Sequence, residues 1–357
     1  MYKTGIANLP LHNGKAPQWL LKRMIALSKA IIELMVIELG KEEVLRRLSD
    51  PFWFQSLGCI LGFDWHSSGV TTTVTGAIKE GLRGIEHELG LFVAGGKAKR
   101  ALNTPQEIIQ YAAKIGFNPD SFIYASRLSA KVDNVAVQDG FSLYHHTIFF
   151  TQEGHWCVIQ QGMNETFLMA RRYHWLSLSP KSFVEEPHEA VCCDIKTKTL
   201  NFTAKESSEL RKTSVIISQE NPEKIVREIK KINELNLPKR HSIIINDINP
   251  ENLYKIFLKT YEKQPANFEA LLEIKGLGAK ALRAIALISE LIYGTPISFK
   301  DPARYSFAHG GKDKIPYPVD RKVYDKTIEV IKKAIENAKI GRIEKISALR
   351  RIPKIKL

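Results

Sequence analysis

A Gly-Leu-Gly triplet at residues 276–278 is the feature that most restricts the fold, because it separates two apolar stretches with helical spacing, 266–275 and 279–294. Glycine reaches backbone conformations that other residues avoid, so two glycines in three residues permit a very short turn between helices. Neither Gly276 nor Gly278 has a side chain that would block a ligand, and the amides around them would begin the second helix. We therefore predict an anion-binding turn. The alternative is an ordinary tight turn between two core helices.

The segment 266–294 resembles a helix-hairpin-helix, with a short apolar helix, the Gly276-Leu-Gly278 turn and a longer helix. In that family the bound anion is a DNA phosphate, and the hairpin holds the DNA backbone without reading the bases. The resemblance implies that Lys275, Gly276, Gly278 and Lys280 contact DNA.

The charge balance also favours a polyanionic partner. Lysine and arginine number 52 against 38 aspartates and glutamates, which gives a formal net charge of +14. Such an excess promotes binding to nucleic acids by counterion release, although it does not distinguish DNA from RNA. The alternative is that part of the charge belongs to an archaeal-like, thermophilic composition without a nucleic-acid role.

The same composition predicts a cytoplasmic protein. The four cysteines include no Cys-x-x-Cys pair and form no framework of a secreted domain. The N-terminus lacks a charged and then apolar export signal, and the apolar run 24–39 is interrupted by Ser28, Lys29 and Glu33. We expect no membrane span, and the sequence leaves the oligomeric state open.

The pattern of apolar residues predicts an α+β protein with two domains. Residues 1–204 read as a mixed domain with antiparallel β-hairpins and a polar cleft, the candidate catalytic domain, and residues 205–357 as a helical DNA-binding domain. Helices are predicted within 19–48 and over 77–87 and 104–116, and two strands joined by a Gln-Glu-Gly turn are predicted near 142–162.

Three segments of the N-terminal region carry a second resemblance. The Gly/Pro-punctuated opening 4–17, Phe52-Trp-Phe and 63–76, which reads Phe-Asp-Trp-His-Ser-Ser-Gly-Val-Thr-Thr-Thr-Val-Thr-Gly, resemble the uncharacterised prokaryotic family catalogued as domain of unknown function 763. The resemblance covers nearly the whole chain and implies no activity.

The stretch 126–175 holds an unusual number of polar residues on predicted strands. Buried polar groups need a partner or a ligand, so this density indicates a lined cleft. Two carboxylates near histidines favour a divalent cation, Mg²⁺, Mn²⁺ or Zn²⁺, that activates water for phosphodiester hydrolysis. The predicted metal ligands are Asp64, His66, Asp133, Asp139 and His145, and the predicted catalytic groups here are Asp133, Asp139, Lys131 and His146.

The alternative is a satisfied polar network within one sheet, because the adjacent His145 and His146 must point to opposite faces of a strand.

Several basic residues beyond the Gly-Leu-Gly turn are predicted DNA contacts. The segment 91–102 places Lys97 beside a glycine pair, and 67–79 is a Gly/Ser/Thr-rich turn before a helix that is suited to phosphate. Arginines beside aromatic rings suit phosphate contact and base stacking. These contacts are Lys97, Arg171, Arg172 and Lys312.

The C-terminal region also resembles the DNA glycosylase branch of the helix-hairpin-helix families. The matching residues are Gly276-Leu-Gly-Ala-Lys280 and Pro318-Val-Asp320, although Lys280 and Asp320 lie farther apart in sequence than in most members. The resemblance implies that Lys280 attacks the sugar C1′ as a neutral amine and that Asp320 stabilises the charge that develops on the sugar. Otherwise Lys280 contacts a phosphate and Asp320 caps the helix that follows.

Together these features predict a DNA-processing or DNA-repair enzyme, with a metal-dependent nuclease as the leading hypothesis. The alternatives are a glycosylase or abasic-site lyase that uses Lys280 and Asp320, and a non-enzymatic DNA-binding accessory protein.

Overall fold

The computed structural model describes residues 17–63, 68–178, 182–193, 195–234, 249–303, 329–330, 332–337, 341 and 346. Four predicted site residues lie outside these ranges: Asp64, His66, Lys312 and Asp320.

Helices dominate the described chain. Their bounds are α1 Gln18–Leu39, α2 Lys41–Ser49, α3 Pro51–Leu61, α4 Gly69–Leu82, α5 Glu86–Leu89, α6 Lys99–Leu102, α7 Thr104–Ile115, α8 Asp120–Lys131, α9 Ser208–Ser218, α10 Pro222–Glu234, α11 Pro250–Lys263, α12 Phe268–Glu273 and α13 Ala279–Tyr293. A π-helical turn, Val132–Ala136, follows α8, and a 3-10 turn, Lys205–Ser207, precedes α9.

The strands form two antiparallel sheets. Their bounds are β1 Leu91–Lys97, β2 Val137–Gln138, β3 Ser142–Thr151, β4 Trp156–Asn164, β5 Met169–Leu176, β6 Ala190–Cys192 and β7 Leu200–Asn201. The five-stranded sheet has the order β1-β3-β4-β5-β6, and β2 pairs with β7 in the small sheet. The prediction of an α+β fold with antiparallel hairpins is confirmed.

Helices cover both faces of the large sheet. Val93, Phe149 and Ile159 pack with the buried residues of α1 to α4, and we call their side of the sheet the α4 face. Their neighbours in sequence point the other way and pack with α7, α8, α9, α12 and α13, on what we call the α8 face. Successive side chains of a strand alternate between faces, so each central strand supplies both cores.

Several predicted elements are confirmed. The region 19–48 forms α1 and α2, β3 and β4 make the predicted hairpin, and α7 ends at Gly116, whose φ is 85°.

The Thr-rich segment before residue 77 differs from its prediction as a turn, because α4 already begins at Gly69. The Thr75 hydroxyl donates to the Thr71 carbonyl at 2.8 Å within this helix. Threonine is tolerated in a helix when its hydroxyl bonds back to the preceding turn, which explains how the segment stays helical.

Residues before and after the predicted boundary near Ala204 share one hydrophobic core. Phe202 stacks on Phe268 of α12 with ring centroids 5.5 Å apart, and both belong to the hydrophobic cluster of the α8 face. Tyr124 of α8 also donates to the Glu269 carboxylate. Helices that follow the boundary therefore pack directly on elements that precede it. Among the described residues, no helix is long and apolar enough to cross a membrane.

The shared core predicts that Phe268→Ala destabilises both sides of this boundary together. Removing a buried phenylalanine side chain costs about 3–5 kcal/mol of unfolding free energy. All 5 tryptophans precede residue 205, so tryptophan fluorescence during urea unfolding reports on the first part of the chain alone. We expect Phe268→Ala to move this transition to lower urea. The control Leu102→Ala, at a side chain that is 82% exposed, should leave it in place. An unmoved fluorescence transition in Phe268→Ala would show two independent cores.

Candidate functional site

The polar residues of the central strands divide between the two faces of the sheet. His145 points to the α4 face, where its Nε2 lies 2.9 Å from the Thr75 hydroxyl. His146 points to the α8 face, where its Nε2 lies 2.8 Å from the Ser126 hydroxyl. The prediction that these adjacent histidines point in opposite directions is confirmed, and they cannot join one cluster.

Asp133 is the centre of a buried network on the α8 face. Its Oδ2 accepts from the Gln160 amide at 2.5 Å and from the Trp175 indole at 2.9 Å. Its Oδ1 lies 2.5 Å from Nε2 of His188. Gln160 in turn bonds Nδ1 of His146 at 2.8 Å. Asp133 is completely buried, and both of its oxygens have partners from the protein.

Asp139 joins a second network on the same face. Its Oδ2 accepts from Arg171 at 2.8 Å and from the Tyr173 hydroxyl at 2.6 Å, while its Oδ1 accepts from the Phe141 amide at 3.0 Å. The Arg171 guanidinium also bonds Asp301 at 2.8 Å. Arg171, a predicted DNA contact, is completely buried and does not reach solvent.

Arg172, the other predicted DNA contact on β5, is completely buried on the α4 face. Its guanidinium donates to Gln55 at 3.0 Å and to Nε2 of His174 at 2.9 Å. The central carbon of the guanidinium, Cζ, lies 4.7 Å from the ring centre of Phe54. The guanidinium therefore lies in the interface between the sheet and α3, where its contacts are with protein groups.

These contacts bear directly on the predicted metal ligands. Both oxygens of Asp133 and both of Asp139 accept hydrogen bonds from protein groups. In the part of the chain that the structure describes, no group of three or more His, Cys, Asp or Glu residues is arranged to hold a metal ion. Lys131 lies half-buried at the end of α8, and burial lowers the pKa of its ammonium.

A cavity of about 160 Å³ opens between α4, β1 and α6. It brings together three segments that the sequence marked separately: the Thr-rich segment, the glycine pair with Lys97, and His145. Its polar lining includes Thr75, Lys79, Lys97, Arg100 and His145.

The backbone shapes this cavity through Gly95, which is in a left-handed conformation with φ 100°. A Cβ atom at this position would lie 2.3 Å from the His146 carbonyl oxygen, so the close approach of β1 to β3 requires glycine. Lys97 then stands directly opposite His145 in the register of the two strands.

The electrostatic field in the cavity is positive at His145. Burial is the main cause that lowers the pKa of this imidazole to about 3, and the charges of His146, Lys97 and Lys79 lower it further. His145 is therefore neutral at neutral pH. Its Nδ1 is buried and has no hydrogen-bond partner among the described residues.

The turn between α12 and α13 forms a second candidate site. Gly276 has φ 99°, and Leu277 is buried beneath the turn, while Lys275, Gly276 and Lys280 are exposed. Gly278 is the N-cap of α13 and supplies no side chain to cap it. The Gln138 amide donates to the Ala279 carbonyl at 3.0 Å and ties this end of α13 to the small sheet.

Sequence patterns did not reveal several residues that organise these sites. Asp301, His188, Glu107 and Gln138 each bond a residue from a distant segment. None of them stands in a recognisable motif, so only the three-dimensional contacts identify them.

The family model described as Protein of unknown function (DUF763) matches residues 5–319. Because this match covers most of the 357 residues, the chain belongs to that family. The resemblance seen in 52–54 and 63–76 is thereby confirmed. No curated protein and no solved structure matches the chain.

The buried neutral state of His145 predicts a loss of stability in acid. An unfolded histidine has a pKa near 6.5, whereas folded His145 has a pKa of about 3. As the pH falls below about 6.5, only the unfolded chain gains this proton, so the free energy of unfolding decreases. Between pH 7.5 and 5.5 this single site contributes a decrease of about 1.4 kcal/mol.

Urea unfolding at the two pH values tests this value. In His145→Asn the decrease should be smaller by about that amount, and the matched control is His87→Asn, which changes an exposed histidine of α5. An identical pH dependence in His145→Asn and the native protein would contradict the prediction.

Proposed function

We propose that this member of the DUF763 family is a DNA-processing protein that holds the DNA backbone on a helix-hairpin-helix formed by α12, the Gly276-Leu277-Gly278 turn and α13. The observation that carries the proposal is the exposed turn at the positive end of a 15-residue helix.

The geometry of the turn supports a phosphate site. Gly276 and Gly278 present only backbone, and a Cβ atom at Gly276 would meet nothing within 4 Å, so the space above the turn is open. The first turn of α13 contains no acidic residue, and no side chain of the described residues caps it. The N–H groups and dipole at a helix N-terminus favour an anion in this position.

Two lysines extend this surface. Lys275 precedes the turn and Lys280 lies in the first turn of α13, and both side chains are exposed. The buried Leu277 anchors the turn in the core, so the glycines and lysines are held on a rigid support. Contacts of this kind fix a protein on the DNA backbone and carry no base specificity.

Gly278→Val tests the turn with little strain on the backbone. Gly278 has φ −120° and ψ 179°, an extended conformation open to valine, and a Cβ atom there would meet only the Gly276 carbonyl at 4.0 Å. We expect its side chain to obstruct the phosphate and weaken binding to a labelled DNA duplex about tenfold, or about 1.4 kcal/mol, in fluorescence anisotropy. Unchanged affinity, with an unchanged melting temperature, would remove the turn from the proposal.

Lys280→Gln separates a phosphate contact from lyase chemistry. A phosphate contact predicts weaker binding and a salt dependence whose slope falls by about one unit, because about 0.9 counterion is released per neutralised phosphate. The matched control is Lys255→Gln on α11, an exposed lysine outside the turn, which should keep the native slope. A lyase lysine would instead form a Schiff base with an abasic site. Borohydride trapping of an adduct that is lost only in Lys280→Gln would favour the lyase.

Metal-dependent cleavage of DNA is a second candidate function. The observation that favours it is that Asp133 and Asp139 lie on one face of the sheet and are linked by Tyr173, which bonds Asp139 and packs against His188, the partner of Asp133. To bind a cation, these carboxylates must exchange protein donors for the metal, so the geometry supports DNA binding more directly than cleavage.

A nuclease of this kind should cleave DNA in Mg²⁺ or Mn²⁺, lose activity in EDTA and lose it in Asp139→Asn, because the cation requires the negative charge. The control is Asp120→Asn, at an exposed carboxylate in the first turn of α8. Melting temperatures should accompany both variants, since Asp139 also neutralises the buried Arg171. Cleavage that persists in EDTA, or that is equal in the two folded variants, would contradict the metal site.

A further inference from the structure

We propose that the cavity between α4, β1 and α6 binds the phosphoryl group of a phosphate monoester. The proposal is independent of the turn between α12 and α13, which packs on the opposite face of the sheet. It rests on the charges, the donors and the dimensions of the cavity.

The charges around the cavity leave two cations without a neutralising carboxylate. Lys79 pairs with Glu107 at 2.6 Å, and Arg83, just beyond the cavity, pairs with the lining Glu80 at 2.9 Å. In the described part of the chain, no carboxylate pairs with Lys97 or Arg100. Two unneutralised positive charges match the roughly two negative charges that a phosphate monoester carries near neutral pH.

Lys79 is placed to contact the anion from the inner wall. Its ammonium donates to the Gly95 carbonyl at 2.7 Å as well as to Glu107, and these two bonds hold the side chain in place. A lysine ammonium has three N–H donors, so one remains available for a ligand. The Gly95 amide also donates to Glu107 at 2.8 Å, which fixes the carboxylate behind the cavity rather than in it.

His145 adds an unsatisfied group to the wall of the cavity. Its Nε2 lies 2.9 Å from the Thr75 hydroxyl and 3.0 Å from the Thr147 hydroxyl, whereas its buried Nδ1 lacks a partner among the described residues. A buried polar atom without a hydrogen bond costs free energy. The positive charges of Lys97 and Lys79, which act on this imidazole, would be offset by a bound anion.

The size of the cavity favours a monoester over a diester. A volume of about 160 Å³ holds several water molecules, each of which occupies about 30 Å³ in the liquid, and therefore holds one phosphoryl group. A phosphodiester continues in two directions and needs an open surface, such as the turn before α13. A monoester continues in one direction only, so its phosphoryl group can enter a cavity while the rest of the molecule stays outside.

Isothermal titration calorimetry with inorganic phosphate at constant ionic strength tests the site. We expect the native full chain to bind phosphate at the cavity, with an affinity that depends on Lys97 and Arg100. The double variant Lys97→Gln/Arg100→Gln should lose at least about tenfold in affinity, because both uncompensated charges are removed. Lys99→Gln is the matched control, since Lys99 is an exposed neighbour on α6 outside the cavity lining. All three changes lie on exposed side chains, so folding should be preserved, and melting temperatures verify this.

Two results would overturn the proposal: no heat of binding with phosphate in the native protein, or equal affinities in the double variant and in Lys99→Gln. Gly278→Val should bind phosphate like the native protein. A loss of DNA binding in Gly278→Val with intact phosphate binding would thus support both sites, and a failure of either site would be visible separately.

Two further titrations identify the source of the phosphoryl group. A deoxynucleoside 5′-monophosphate represents a small molecule, and a pair of oligonucleotides with and without a 5′-phosphate represents a DNA end. Tighter binding of the phosphorylated oligonucleotide, lost in Lys97→Gln/Arg100→Gln, would assign the cavity to a DNA end. Binding of the mononucleotide that depends on the same two residues, with equal binding of both oligonucleotides, would assign it to a small phosphorylated ligand.

Discussion

The burial of Arg171 and Arg172 on opposite faces of one strand is the constraint on which the rest of the structure depends. A buried guanidinium without a partner costs several kcal/mol, so each face must supply compensating groups. Arg171 donates hydrogen bonds to Asp139 and Asp301, and Arg172 donates to Gln55 of α3 and to His174. Apart from His174, which lies on the same strand, these partners come from other segments of the chain. Folding the sheet therefore fixes α3, the start of the hairpin and the segment after α13 in relation to one another.

The sequence was sufficient to predict the β3–β4 hairpin and the turn before α13, and insufficient to predict the partners of the buried polar side chains. Strand alternation already separates His145 from His146, and the Gly-Leu-Gly triplet already marks the turn. The burial of Arg171 could not be predicted in this way, because Asp301 follows it by 130 residues and belongs to no periodic pattern. A strand rich in cations and rings has the composition of a surface that binds nucleic acid. Its burial depends on partners from other segments, Asp139 and Asp301 for Arg171 and Gln55 for Arg172.

The cavity is a second feature that the sequence alone could not predict. The threonines of α4, the glycines of β1 and His145 each suggested a weak phosphate or metal contact by themselves, and the fold places all of them around one space. What the sequence patterns omit is the neutralisation of charge. Glu107 neutralises Lys79 in an ion pair. The effective charge of the cavity therefore depends on Lys97 and Arg100 and not on the total number of basic residues around it.

The two candidate anion sites differ in the chemistry that each can accept. At the turn, Gly276 and Gly278 present only backbone to open space, which a continuous polymer can cross without a break. At the cavity, side-chain cations line a small, partly open space, which suits the end of a molecule. The sheet lies between them, since α13 packs on its α8 face and α4 on the other. A protein with both sites could hold DNA along its backbone at one surface and a phosphorylated group at the other, and the net charge of +14 would favour both encounters.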